Sequence, residues 1–178
     1  MSADAGPNHL PAPDAAWYAI YTRSRHEHAV ARFLARDGVE VYVPTRQQWS
    51  RRVDRRKLVE VPALPGYLFV RCDLTPEFRA EIKKAPGVVS IITSNGRPAR
   101  IPDDQVASLR ILLGSGREVT ASAAYAEGER VQIAAGPLKG VVGVLERVDA
   151  GQRRLVVRID HVGLSVAVSI HTGDVERA

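Results

Sequence analysis

The end of the chain constrains the fold most. From residue 130 onward, RVQIAAGPLKGVVGVLERVDAGQRRLVVRIDHVGLSVAVSIHTGDVERA is a succession of short Val- and Ile-rich runs. Glycine turns cut it at Gly136-Pro137, Ala150-Gly151, His161 to Gly163 and Thr172-Gly173. β-Branched residues pack well on a pleated surface and lose χ1 freedom in a helix, so these runs read as strands. Short strands with regular turn signals predict a small closed β-barrel, marginal in size but able to fold alone.

The chain before this run has a different character. WYAIYT (17–22) reads as a strand and SRHEHAVARFLARDG (24–38) as a helix. Ser24 can cap that helix, Glu27 stands three residues later as in a capping box, and Gly38 can end it. VEVYVPT (39–45), KLVEVP (57–62), YLFVRCD (67–73) and VVSIIT (88–93) read as further strands. TPEFRAEIKKAPG (75–87) is a short helix with Thr75 as cap and Pro76 at its first position. SNGRPARIP is a turn-rich loop, and DDQVASLRILLG (103–114) is a last helix. This order predicts an α+β chain: an α/β sandwich around a mainly antiparallel sheet, followed by the barrel. The expected divisions are a disordered lead at 1–16, a first domain at 17–114, a linker at 115–127 and a barrel domain at 128–178.

Within VPALPGYLFVRCD (61–73), strand alternation sends Leu68, Val70 and Cys72 to one face and Tyr67, Phe69 and Arg71 to the other. The first face is ordinary core. The second is either core under a helix or an aromatic docking surface, since a few aromatic anchors with arginine dominate interface energetics.

Several classes are disfavoured. No run of about 18 apolar residues exists to span a membrane, and the N-terminus lacks a signal-peptide pattern. A single cysteine, Cys72, forms no internal disulfide, which fits a reducing cytoplasm. His26 and His28 are two apart and diverge on a helix, so no metal site is expected. No phosphate-binding glycine loop or nucleophile elbow is present, so neither a cofactor nor an enzyme is expected.

Charge is placed unevenly. Residues 1–113 hold 17 Lys/Arg against 12 Asp/Glu, whereas residues 114–178 hold 8 of each. The excess favours an anionic partner for the first part. Arg23 and Arg25 stand at the start of the first helix and Arg36 near its end. Phosphate contact and a solvated helix face are both open readings. RQQWSRRVDRRK (46–57), including Arg51 and Arg52, joins two strands as a basic hairpin carrying Trp49. It suits nucleic-acid backbone contact and base stacking, with a solvated hairpin as the alternative.

WYAIYTRSRHEHAVARFL, VYVPT, LPGYLFV, APGVVSII and GRPARIPDDQV, in this order, resemble the NusG family of transcription elongation factors. GERVQIAAGPLKGVVGVLERVD is similar to that family's KOW motif, an SH3-like barrel. YTRSRHE and GRPARIP resemble the operon-specific members, which include RfaH and capsule-operon antiterminators. The resemblance implies a monomeric cytoplasmic factor that binds the β′ clamp helices of RNA polymerase. The matching positions are Leu64, Tyr67 and Phe69, with Tyr21 and Ile91 as neighbours. It further implies contact of Arg23, Arg25 and Arg36 with the non-template DNA strand, and of Arg51 and Arg52 with DNA. A ribosomal protein or Rho would meet the KOW domain at Leu138, Val141 and Val162, where the family is commonly aromatic. A housekeeping factor, or an RNA-binding translation or ribosome-assembly factor, is the alternative.

Overall fold

The computed structural model describes residues 15–50, 57–122, 128–133, 136–147, 153–159 and 161–170. In chain order the elements begin β1 (Ala16–Thr22), α1 (Glu27–Ala35), β2 (Glu40–Tyr42), β3 (Thr45–Trp49), β4 (Leu58–Pro62) and β5 (Tyr67–Cys72). They continue α2 (Pro76–Lys84), β6 (Val88–Ile91), β7 (Thr93–Ser94), β8 (Arg97–Pro98), β9 (Arg100–Ile101) and α3 (Asp103–Gly114). The last are β10 (Val119–Ser122), β11 (Glu129–Gln132), a 3-10 turn (Gly136–Leu138), β12 (Val142–Arg147), β13 (Arg153–Ile159) and β14 (Leu164–Ile170). Two compact units form: Met1–Val43 with Pro65–Pro102, and Pro44–Leu64 with Asp103–Ala178.

The first unit is an antiparallel sheet in the order β2-β5-β1-β6, with β9 also on β1. β6 pairs the Ile20–Thr22 end of β1 and β9 its Trp17–Tyr18 end. The intervening segment, read from sequence as a loop, is the β7–β8 hairpin. Asn95 and Gly96 turn it with φ of 51° and 75°, the left-handed pair that matches the twist of flanking strands.

Leu68, Val70 and Cys72 face the helices as expected. They pack with Tyr18 and Ile20 from β1, Val30 and Leu34 from α1, and Phe78 and Ile82 from α2. Thr75 caps α2 as expected, its hydroxyl accepting from the Phe78 amide at 3.2 Å. The cap expected for α1 does not form. That helix begins at Glu27 behind His26, which makes no side-chain cap bond. Ser24 lies outside it, because Arg25 turns through a left-handed φ of 65°.

The second unit is a five-stranded antiparallel sheet, β10-β14-β13-β12-β11. A closed barrel was expected; among the described residues no ladder joins β10 to β11. Val131, Ile133, Leu155, Val157, Val166 and Val168 are buried in it. Gly143 permits close strand approach, since a Cβ there would lie 2.7 Å from the Val156 carbonyl oxygen.

Each unit draws on two separate stretches of the chain. Part of the expected linker is strand: Val119 and Thr120 of β10 pair Val168 and Ala167 of β14. Residues 103–114, expected to close the first domain, group with the second sheet, because α3 packs on β12, β13 and the 3-10 turn. Its Ser108 hydroxyl accepts the Val142 amide at 2.8 Å. The β3–β4 hairpin belongs to this unit too, with the Arg46 guanidinium donating to the Val119 carbonyl at 3.2 Å.

Candidate functional site

The C-terminal end of β1 and the start of β5 build the candidate site. Register places Tyr21 opposite Tyr67, Ala19 opposite Phe69 and Trp17 opposite Arg71 on the sheet face away from α1 and α2. Directly opposed aromatic residues stabilise an antiparallel pair. The Tyr21 and Tyr67 rings lie 5.1 Å apart, tilted by 44°. Tyr21 is 39% exposed, and Tyr67 is half-buried. Burial, and then the neighbouring Tyr21, push the Tyr67 phenol above its ordinary pKa. The Tyr67 ring therefore stays neutral at physiological pH, and each ring offers an apolar face with a hydroxyl handle.

The turn before β5 is held tightly beneath this pair. Gly66 has φ of 82°. Its carbonyl accepts from the Thr22 amide at 2.7 Å, and its own amide donates to the buried Glu27 carboxylate at 2.7 Å. A Cβ on Gly66 would meet Tyr21 Cε2 at 3.0 Å, so glycine lets the ring lie against the turn.

Of the five apolar positions expected at this site, the structure brings only Tyr21 and Tyr67 together at the surface. Phe69 is fully buried and stacks on Tyr42, centroids 6.2 Å apart. Leu64 is also fully buried. Ile91 is buried as well. It pairs with Ile20, and that register points it into the core beneath the helices. Sequence reading passed over Tyr42 and the role of Glu27. Alternation in VEVYV could have marked Tyr42 as sharing the face of Phe69, whereas nothing local marks the Glu27 partner.

Arg23, Arg25 and Arg36 are exposed. Arg23 and Arg25 precede α1, and Arg36 caps its C-terminus. At 1.5 Å per residue the helix puts the first two roughly 14 Å from the third, so the three positive charges stand at opposite ends of α1. Arg51 and Arg52 lie outside the described residues. Trp49, beside them in sequence, is 60% exposed.

In the second unit Leu138, Val141 and Val162 are all buried. Leu138 ends the 3-10 turn that packs on α3. The three residues are thus core here. Among the described residues no His, Cys, Asp and Glu cluster could hold a metal ion, and no helix is long and apolar enough to cross a membrane.

A family profile described as "Transcription termination factor nusG" matches residues 15–110, more than half of the chain. The chain belongs to the NusG family. It is 28% identical over 180 residues to the transcription termination/antitermination protein NusG of Borreliella burgdorferi, covering 91% of this chain and 98% of the relative. With the protein of that name from Staphylococcus carnosus it shares 25% identity over 173 residues, 90% of this chain and 94% of the relative. A solved structure described as domain interaction in Thermotoga maritima NusG superposes with a TM-score of 0.56 at 22% identity. It covers 92% of this chain and 97% of that one, a likeness of fold. The NusG-family match includes β1 and β5 and hence both tyrosines.

Proposed function

We propose that this protein is a transcription elongation and antitermination factor that docks on RNA polymerase through the Tyr21–Tyr67 pair. The observation that carries this reading is an aromatic pair left partly exposed on a rigid sheet, with the turn beneath it fixed by Glu27 and Thr22. Preorganised aromatic anchors concentrate binding energy. The partner named by the family resemblance is the β′ clamp helices. The factor would act by binding energy alone, holding the polymerase in its elongating state and suppressing pausing or termination.

Supporting an operon-specific role, Arg23 and Arg25 are exposed just before α1, and they would contact the non-template DNA strand. The basic hairpin, with Arg51 and Arg52, would supply a second DNA contact. The sheet of the second unit corresponds to the KOW module. A ribosomal protein or Rho could use Leu138, Val141 and Val162 only once they were uncovered.

The test is binding of the full chain to polymerase core. Tyr67→Ala and Tyr21→Ala should each weaken affinity about tenfold or more while melting temperature stays close to the parent's. Unchanged affinity in both variants would remove the docking assignment. Readthrough on a pause-containing template, lost in Arg23→Ala/Arg25→Ala while core binding persists, would support the operon-specific role.

A further inference from the structure

We propose that His26, seated against Gly87, is a positioning residue for the DNA contact: it fixes the tight turn that presents Arg25. The proposal rests on the reading of Arg23 and Arg25 as contacts to a DNA strand and deepens it.

Residues 23–26 turn the chain from β1 into α1, and the His26 amide closes the turn by donating to the Arg23 carbonyl at 3.1 Å. Arg25 holds the third position with a left-handed φ of 65°. That position favours glycine, so an arginine there is strained and persists only where its surroundings hold it. The Arg23 amide supplies one hold, donating to the Gly87 carbonyl at 2.8 Å. The His26 side chain supplies another. Its Nδ1 lies 3.0 Å from the Ser24 carbonyl oxygen, which can only accept, so Nδ1 carries the proton and donates. The same side chain lies on Gly87, where an added Cβ would stand 2.8 Å from His26 Cβ and 2.8 Å from its Cδ2. Gly87 itself has φ of 104°. His26 thus ties the second residue of the turn to the residue that launches β6.

Arg25 is exposed, as is Arg23. Glycine would take this φ without strain, whereas arginine adds a cation at the tip of the turn. An arginine whose backbone is already fixed loses less freedom on meeting a phosphate than one on a loose loop. Phosphate contacts set the register of a strand on a protein. His26 would therefore act on the DNA through Arg25, without touching the strand.

Anisotropy titrations of the full chain with a labelled single-stranded DNA pool of random sequence test this. Arg25→Ala should weaken binding about fivefold and lower the salt slope by about 0.7. His26→Ala should reproduce most of that loss and add nothing to it in the Arg25→Ala background. Asparagine places an N–H where Nδ1 stands and glutamine one where Nε2 stands, so His26→Asn should restore affinity and His26→Gln should not. Arg25→Gly should raise the melting temperature while weakening DNA binding. Additive losses from His26→Ala and Arg25→Ala, or rescue by His26→Gln in place of His26→Asn, overturn the positioning role and make His26 a direct contact. Wild-type affinity in His26→Ala also overturns it, with the Arg25 contact left standing. An unchanged or lower melting temperature in Arg25→Gly removes the strain that the lock acts against. Wild-type affinity in Arg25→Ala removes the DNA reading of the turn itself.

Discussion

The Glu27 carboxylate, buried in the first turn of α1, accepts the backbone amide of Gly66 at 2.7 Å across 39 positions of sequence. This bond joins the first helix to the turn that launches the β5 strand. It replaces the helix-capping role that its spacing from Ser24 suggests. Glu27→Ala leaves the Gly66 amide buried without an acceptor and should cost about 1–3 kcal/mol of stability. Glu27→Gln keeps a carbonyl oxygen but loses the charge, so a smaller loss is expected. Urea unfolding of the two variants checks the order.

Gly66→Ala should damage the site more than its size implies. The left-handed φ of 82° costs a non-glycine residue about 1–2 kcal/mol, and the new methyl would press on the Tyr21 ring. A lowered melting temperature together with weaker polymerase binding is expected. Loss of stability with polymerase affinity intact would show that the Tyr21 ring position does not matter for docking.

Tyr67 and Phe69 stand two apart on one strand face, yet their substitutions should separate. Phe69→Ala opens a cavity beside Tyr42 and should destabilise by about 3–5 kcal/mol. Tyr67→Ala removes a half-exposed ring and should lower stability far less, its main effect falling on polymerase affinity. Paired measurements of unfolding free energy and binding on both variants decide the matter.

Cys72 should be inert in the native protein. It is 1% exposed, and burial, then the neighbouring Asp73 charge, push its thiol from an ordinary 9.0 up to about 12. Thiolate is the reactive form, so a disulfide reagent at pH 8 should label Cys72 only after denaturant is added. The folded thiol keeps its proton where the unfolded one ionises. Its contribution is therefore complete below about pH 9 and declines as pH rises toward 12. Cys72→Ala should flatten that alkaline decline in an unfolding series.

The sequence by itself determined the local elements, because their causes are local. Thr75 and Pro76 start α2, alternation sends Leu68, Val70 and Cys72 to the core, and β-branched runs make strands β11 to β14. Asn95-Gly96 is a local hairpin signal too, and it turns β7 into β8. Tertiary structure decided the rest. Pairing with β1 set which way Ile91 faces, and pairing with β14 turned part of a supposed linker into β10. Long-range packing sealed Phe69 and Leu64 while leaving Tyr21 and Tyr67 at the surface, and it gave Glu27 a partner far along the chain. Alternation says which residues share a face. Register and cover come from segments distant in sequence, so they say whether that face meets solvent.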